Sequence, residues 1–214
     1  KMRTVTLDEG SRGSINGWGK EGWKEDKTQD MTGHYTAMMW KNNVQLGCGM
    51  GINKEKKCAI VACNYGSTPY TNQGLEQDYE KQVLCTRPIN IGVDDKPGNN
   101  TVYYLPEYPG TSRDDLKTGS AYANNFLDYH NLMRKKCSYS SKTMQWNETL
   151  AKYASDYAKL LVRENNCEMS HTFKGHDSNK DFGAGENLAK IIHIIPTLDE
   201  GARKAMDGWG GEGY

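Results

Sequence analysis

The sequence has no long hydrophobic run. Its longest apolar candidate, Ile191 to Ile195, is interrupted by His193 and stopped by Pro196, far short of the roughly 20 residues a helix needs to cross a bilayer. It has no excess of either charge, since 27 Lys and Arg balance 27 Asp and Glu. Without a net positive field to displace counterions, the balance argues against a general nucleic-acid or polyanion binder. No Cys-x-x-Cys pair occurs, which argues against a zinc ribbon or a thioredoxin-like centre. From Lys1 onward there is no basic n-region and no apolar h-region, so a signal peptide would lie outside the given sequence. These absences predict a soluble chain whose 214 residues suit one large or two small domains.

What is present points outward from the cell. Six cysteines, an even number, favour an oxidising, extracellular compartment. Asn99 and Asn147 each head an N-x-[ST] sequon, which is compatible with secretion.

The chain also repeats itself. Residues 7–23 read LDEGSRGSINGWGKEGW and residues 198–214 read LDEGARKAMDGWGGEGY, with ten of seventeen positions identical at an offset of 191. Such a repeat marks a tandem-domain protein. The given sequence is only slightly longer than one period, so it is expected to begin inside one copy and end inside the next. The repeated element is glycine-rich, and each interior Gly costs a helix on the order of 1 kcal/mol relative to Ala. Its helicity must come from packing of Trp18 or Trp209. Both copies satisfy G-x-G-x-x-G, at Gly17, Gly19 and Gly22 and at Gly208, Gly210 and Gly213. No predicted strand precedes either copy, so a dinucleotide site is rejected.

Between Gly33 and Tyr65 the pattern predicts three short strands, Tyr35 to Trp40, Val44 to Gly47 and Ala59 to Tyr65. Aromatic and β-branched residues bounded by Asn and Gly carry that reading, with a glycine–cysteine turn between the apolar runs. Cys48 and Cys63 flank the last hairpin. Residues 66–120 hold five of the six prolines, and turn pairs such as Pro97-Gly98 mark a linker or small extension. Val102 to Leu105 could add a strand. Helical periodicity then returns. Phe126, Tyr129, Leu132 and Met133 recur at spacings of three and four, with Asn124 or Asn125 as N-cap. A second helix, about Leu150 to Val162, carries Leu150, Tyr153, Ala154, Tyr157, Leu160 and Leu161 on one stripe.

GHYTAMMW, LGCG and CNYGS, in that order, resemble the signature motifs of the CAP superfamily, which unites cysteine-rich secretory proteins, antigen 5 and pathogenesis-related proteins. Within it the sequence is most similar to the venom-allergen-like and Ancylostoma-secreted proteins of parasitic nematodes, as a tandem two-domain member. His130-Asn131 with Arg134, Trp146 to Ala151, and Cys167 with His171 follow the family order. Trp18 with Glu21 and Trp209 with Glu212 match its Trp-x-x-Glu helix. The resemblance implies an α+β fold, a three-layer α-β-α sandwich with a central antiparallel sheet. Residues 1–70 would then be the C-terminal half of one CAP-like domain and 71–120 a Pro/Gly-rich linker or hinge. Residues 121–214 would be the N-terminal half of a second domain. It also implies pairing of Cys48 with Cys63 and of Cys58 with Cys167. Cys85 and Cys137 remain, with partners open inside or outside the chain.

Imidazoles and carboxylates are ligands for zinc and similar ions, but no H-x-x-x-H spacing is present, and His34 and His171 read from the residues alone as hydrogen-bonded core. The resemblance implies a cleft lined by two His and two Glu, matching His171, Glu186, either Glu21 or Glu212, and His34. It could take a divalent cation such as zinc, none being required. Completing that set needs the N-terminal segment to pack on the C-terminal one, as self-complementing halves or as a domain-swapped dimer. Met38, Met39 and Met50 are adaptable apolar residues, most simply core. The resemblance adds a sterol or fatty acid as ligand and a host protein or receptor as partner. There is no G-x-S-x-G elbow and no H-E-x-x-H helix, and Ser170 beside His171 is not a triad. The expected function is that of a secreted, non-catalytic protein for host interaction. The alternatives are a cation-dependent hydrolase in which a Glu/His pair activates water, and a protein-interaction module without a small ligand.

Overall fold

A computed structural model describes residues 7–22, 33–53, 55–66, 81–83, 85, 89–92, 112–137 and 143–192. The second repeat copy with Trp209 and Glu212, the strand expected at Val102 to Leu105, and Asn99 lie outside the described residues.

The described elements run α1 (Leu7–Glu21), α2 (Gly33–Met39), β1 (Gln45–Asn53), β2 (Cys58–Gly66), α3 (Ala121–Lys136), β3 (Gln145–Trp146), α4 (Glu148–Glu164), α5 (Ser178–Phe182) and β4 (Gly185–Ile192). The strands form one sheet in the order β3-β1-β2-β4. β1 pairs antiparallel with β2 over nine residues, and β2 antiparallel with β4 over eight. The two-residue β3 lies parallel to β1, so the sheet is mixed at that edge rather than wholly antiparallel. The fold is α+β, with α4 against one sheet face and α1, α2 and α3 against the other. Strands from both segments share this sheet within one chain.

Side-chain alternation along the strands divides the core in two. Leu46, Cys48, Met50, Val61, Cys63 and Tyr65 face the three-helix layer. Ile60, Ala62 and Leu188 face α4, with its Ala154, Tyr157, Ala158 and Leu161. The partners of β1 on the α4 side are glycines, Gly47, Gly49 and Gly51. A Cβ built on any of them would fall closer than 3.0 Å to backbone atoms of α4, at Ala151, Ser155 and Ala158 respectively. The run LGCGMG is therefore the body of a strand and not a turn. Its glycines form a groove for a helix that presents small residues at i, i+4 and i+7.

The segment expected as a strand from Tyr35 to Trp40 is the helix α2. A six-residue aromatic-rich run does not fix its own period, and here both ends are held as helix ends. The Glu21 carboxylate accepts from the Tyr35 amide at 3.1 Å. The buried Arg134 guanidinium donates to the Met38 carbonyl at 3.1 Å and to that of Trp40, where a cation suits a helix C-terminus. Tyr35, Met38 and Met39 are fully buried and Met50 is 4 % exposed, so these methionines are core and line no groove. α3 starts earlier than expected. Its N-cap is Ser120, whose Oγ accepts from Ala123 at 3.0 Å, and Asn124 and Asn125 lie inside the helix. α4 spans Glu148–Glu164, capped by the Asn147 oxygen on the amides of Thr149 and Leu150.

Disulfides join Cys48 to Cys63, Cys58 to Cys167 and Cys85 to Cys137. The first crosses directly opposed ladder positions. The second ties the two segments over 109 residues. The third closes the question of Cys85 and Cys137 within the chain. Among the described residues no helix is long and apolar enough to cross a membrane.

Candidate functional site

Glu21 is the last residue of α1, and α1 is fixed by Trp18. Its indole is 3 % exposed and donates from Nε1 to the Leu188 carbonyl of β4 at 3.1 Å. The glycine content of the helix has a cause: at Gly19 a Cβ would meet the Ile89 carbonyl at 2.7 Å, while the Ile89 amide donates to Gly19 at 2.9 Å. Glu21 then serves two partners. One oxygen caps α2 through Tyr35, and the other lies 2.6 Å from His34 Nδ1. His34 stacks on Trp18 with ring centroids 6.2 Å apart.

The second pair is built by β4 and the loop after α4. That loop leaves the helix through Asn166 and Cys167, both in the left-handed region with φ of 54° and 62°, a conformation that costs a non-Gly residue of order 1–2 kcal/mol. The Cys58 disulfide and a Cys167 amide bond to the Leu161 carbonyl at 3.1 Å hold it there. His171 follows, largely exposed, with Nδ1 3.0 Å from Glu186 Oε1. The Glu186 side chain is only 3 % exposed, and its other oxygen receives Asn64 Nδ2 at 3.4 Å.

The two pairs are linked by Asn187, next to Glu186 on β4. Its Nδ2 donates to the His34 carbonyl at 2.9 Å and to the Tyr65 hydroxyl at 3.1 Å. Tyr65 in turn lies 2.9 Å from His130 Nε2, and His130 Nδ1 lies 2.8 Å from the Phe126 carbonyl. A carbonyl only accepts, so Nδ1 carries the proton and Nε2 accepts from Tyr65. Burial pushes the His130 pKa down to about 4 and drives that of Tyr65 up. Both groups therefore stay neutral at physiological pH. The His-Asn-x-x-Arg stretch of α3 is a brace. His130 holds Tyr65, Asn131 clasps the backbone of Met144 at 2.7 and 3.2 Å, and Arg134 holds the end of α2.

Sequence reasoning missed His176. Lys174 and Gly175, with φ of 52° and 83°, turn the chain back so that the His176 ring stacks on both Tyr157 and Tyr153, at 3.4 and 3.9 Å. Its Nε2 lies 3.6 Å from Glu186 Oε2, beyond hydrogen-bond range. The signal available in the sequence was the Tyr153/Tyr157 pair at i, i+4 on α4.

The structure thus brings His34 to Glu21, and His171 to Glu186, while Glu212 is outside the described residues. Each histidine turns Nδ1 to its own carboxylate, which fixes the tautomer and leaves Nε2 with the lone pair when the ring is neutral. The donor atoms suit zinc chemically. They do not close a shell: among the described residues no three His, Cys, Asp or Glu side chains form a group that could hold a metal ion. Ser170 Oγ donates to the Thr172 carbonyl at 2.7 Å, and all six cysteines are paired.

Residues 6–65 match the model of the CAP family, the cysteine-rich secretory protein family. The match covers under a third of the chain and spans α1, α2, β1 and β2 almost to its end. It supports the CAP superfamily on the motifs GHYTAMMW and LGCG, both of which lie inside it. No curated protein and no solved structure matches the chain.

Proposed function

We propose that the whole chain, and not only its first segment, is a CAP-like protein, secreted, non-catalytic and made for binding, with host interaction as its role. The nematode venom-allergen-like group and a tandem architecture are part of this reading. The observation that carries it is the pair of His–Glu contacts, His34 with Glu21 and His171 with Glu186, beside a buried, charge-neutral Asn187–Tyr65–His130 network. Three disulfides support an extracellular setting.

A divalent ion such as zinc would draw on the lone pairs of His34 and His171, with Glu21 and Glu186 orienting them. Among the described residues those four close no three-ligand group. Sterol or lipid carriage gains nothing from Met38, Met39 and Met50, which are core. The recognised ligand is accordingly a host protein surface, with sterol as the competing arm.

The test is a panel on the purified, disulfide-intact protein. Incubation with unstructured protein substrates should give no turnover. A host extracellular protein array should return saturable binding that weakens when His34→Ala and Glu186→Ala are combined. Steady proteolysis abolished by those same substitutions would overturn the non-catalytic reading. Saturable sterol binding without protein binding would move the function to lipid carriage.

A further inference from the structure

One sequence motif has no part in the His–Glu pairs: Asn147-Glu148-Thr149, at the junction of β3 and α4. We propose that Asn147 carries an N-linked glycan, which rests on the secreted reading above. The folded protein can accommodate it. Oδ1 is committed to the helix cap, accepting from the amides of Thr149 at 2.9 Å and Leu150 at 3.1 Å. That leaves Nδ2 on the outer side, where it meets only the exposed Gln45 Oε1 at 2.9 Å. Asn147 is half-buried, and Glu148 and Thr149 are exposed.

Glycosylation changes only Nδ2. Transfer from a lipid-linked oligosaccharide diphosphate forms a bond from Nδ2 to the anomeric carbon of the first sugar. The bond from that carbon to the diphosphate oxygen breaks, and the amide gives up one proton. Nothing is oxidised or reduced. The amide keeps its carbonyl for the cap and one N–H for Gln45. Beside it lies an open hollow of about 230 Å³ bordered by Val44, Gly66, Leu150 and Phe182, which gives the innermost sugar room. The Phe182 ring, 46 % exposed, supplies an apolar face for it. In the folded chain the Asn147 amide donates to Leu46 and its carbonyl accepts from Ala151, at 2.8 and 2.9 Å. Transfer therefore precedes the docking of α4 onto β1.

The full chain is expressed behind a secretory leader in a eukaryotic host. The secreted protein is treated with peptide N-glycosidase in heavy-oxygen water and mapped by peptide mass spectrometry, which separates Asn147 from the second sequon at Asn99. The expected result is heavy-oxygen Asp at position 147 in most molecules. The variant Thr149→Ala, which keeps the capping Asn147, should lose that mark with an unchanged circular dichroism spectrum. A secreted, fully disulfide-bonded chain with unmodified Asn147 overturns the inference and leaves the secreted reading standing. A chain retained in the cell with unpaired cysteines overturns the secreted reading, and the inference with it.

Discussion

Replacing Gly49 by Ala tests whether the glycine run of β1 is a seat for α4. Gly49 sits mid-strand, and its added Cβ would fall closer than 3.0 Å to the nitrogen, Cα and Cβ of Ser155. Two of those atoms are backbone, so no rotamer change relieves the overlap; α4 must lift or β1 must bend. Lifting α4 by about 0.5–1 Å forfeits a quarter to a half of the dispersion well for each contact beneath it. Ala154, Tyr157, Ala158 and Leu161 are all fully buried there. Overpacking typically costs ~1–3 kcal/mol, and a backbone clash under a four-turn helix belongs at the upper end, ~3 kcal/mol. Gly13→Ala is the control. It lies in α1, and a Cβ added there would have nothing within 4 Å, so the same substitution should stabilise by ~0.5–1 kcal/mol. Urea unfolding under non-reducing conditions reads both, as midpoint shifts at constant slope. Gly49→Ala within about 0.5 kcal/mol of the parent, or both variants shifting the same way, would refute the packing argument.

Two further outcomes follow from the buried groups and caps. His130 has its folded-state pKa pushed to about 4 by burial against an ordinary value of 6.5, so between those pH values the unfolded chain binds a proton that the folded chain does not. Stability is flat above pH about 6.5 and falls as pH drops toward 4, by up to ~3 kcal/mol. Urea midpoints at about pH 7.5, 5.5 and 4.5 check this, and a flat profile contradicts it. Ser120→Ala should cost ~1 kcal/mol through loss of the α3 cap, while Asn124→Ala should be close to neutral, both measured by thermal melting.

Where local pattern and tertiary need agree, the sequence is readable. α4 carries an unbroken stripe from Leu150 to Leu161, and β2 centres on Ile60 and Val61 with Tyr65 near its end; both lie where expected. β1 runs longer than expected because glycine carries no strand propensity, and its reason for being there is a helix encoded a hundred residues later. α2 departs from the expected strand because a six-residue run does not set its own period, and Glu21 and Arg134 set it instead. The site divides the same way. His34, Glu21, His171 and Glu186 follow from motif resemblance, but their grouping into two pairs depends on the Cys58–Cys167 tie and on Asn187, which no local pattern announces. His176 comes within 3.6 Å of Glu186 because a left-handed turn at Lys174 and Gly175 brings it there.

The central claim is that residues 7–66 and 112–192 complete one another inside one chain. A disulfide map of the native protein under non-reducing conditions, taken with its mass in solution, tests it most directly. A monomer with Cys58 linked to Cys167 in the same chain is the predicted result. A dimer whose Cys58–Cys167 bonds run between chains, or a Cys58 paired elsewhere, would contradict it.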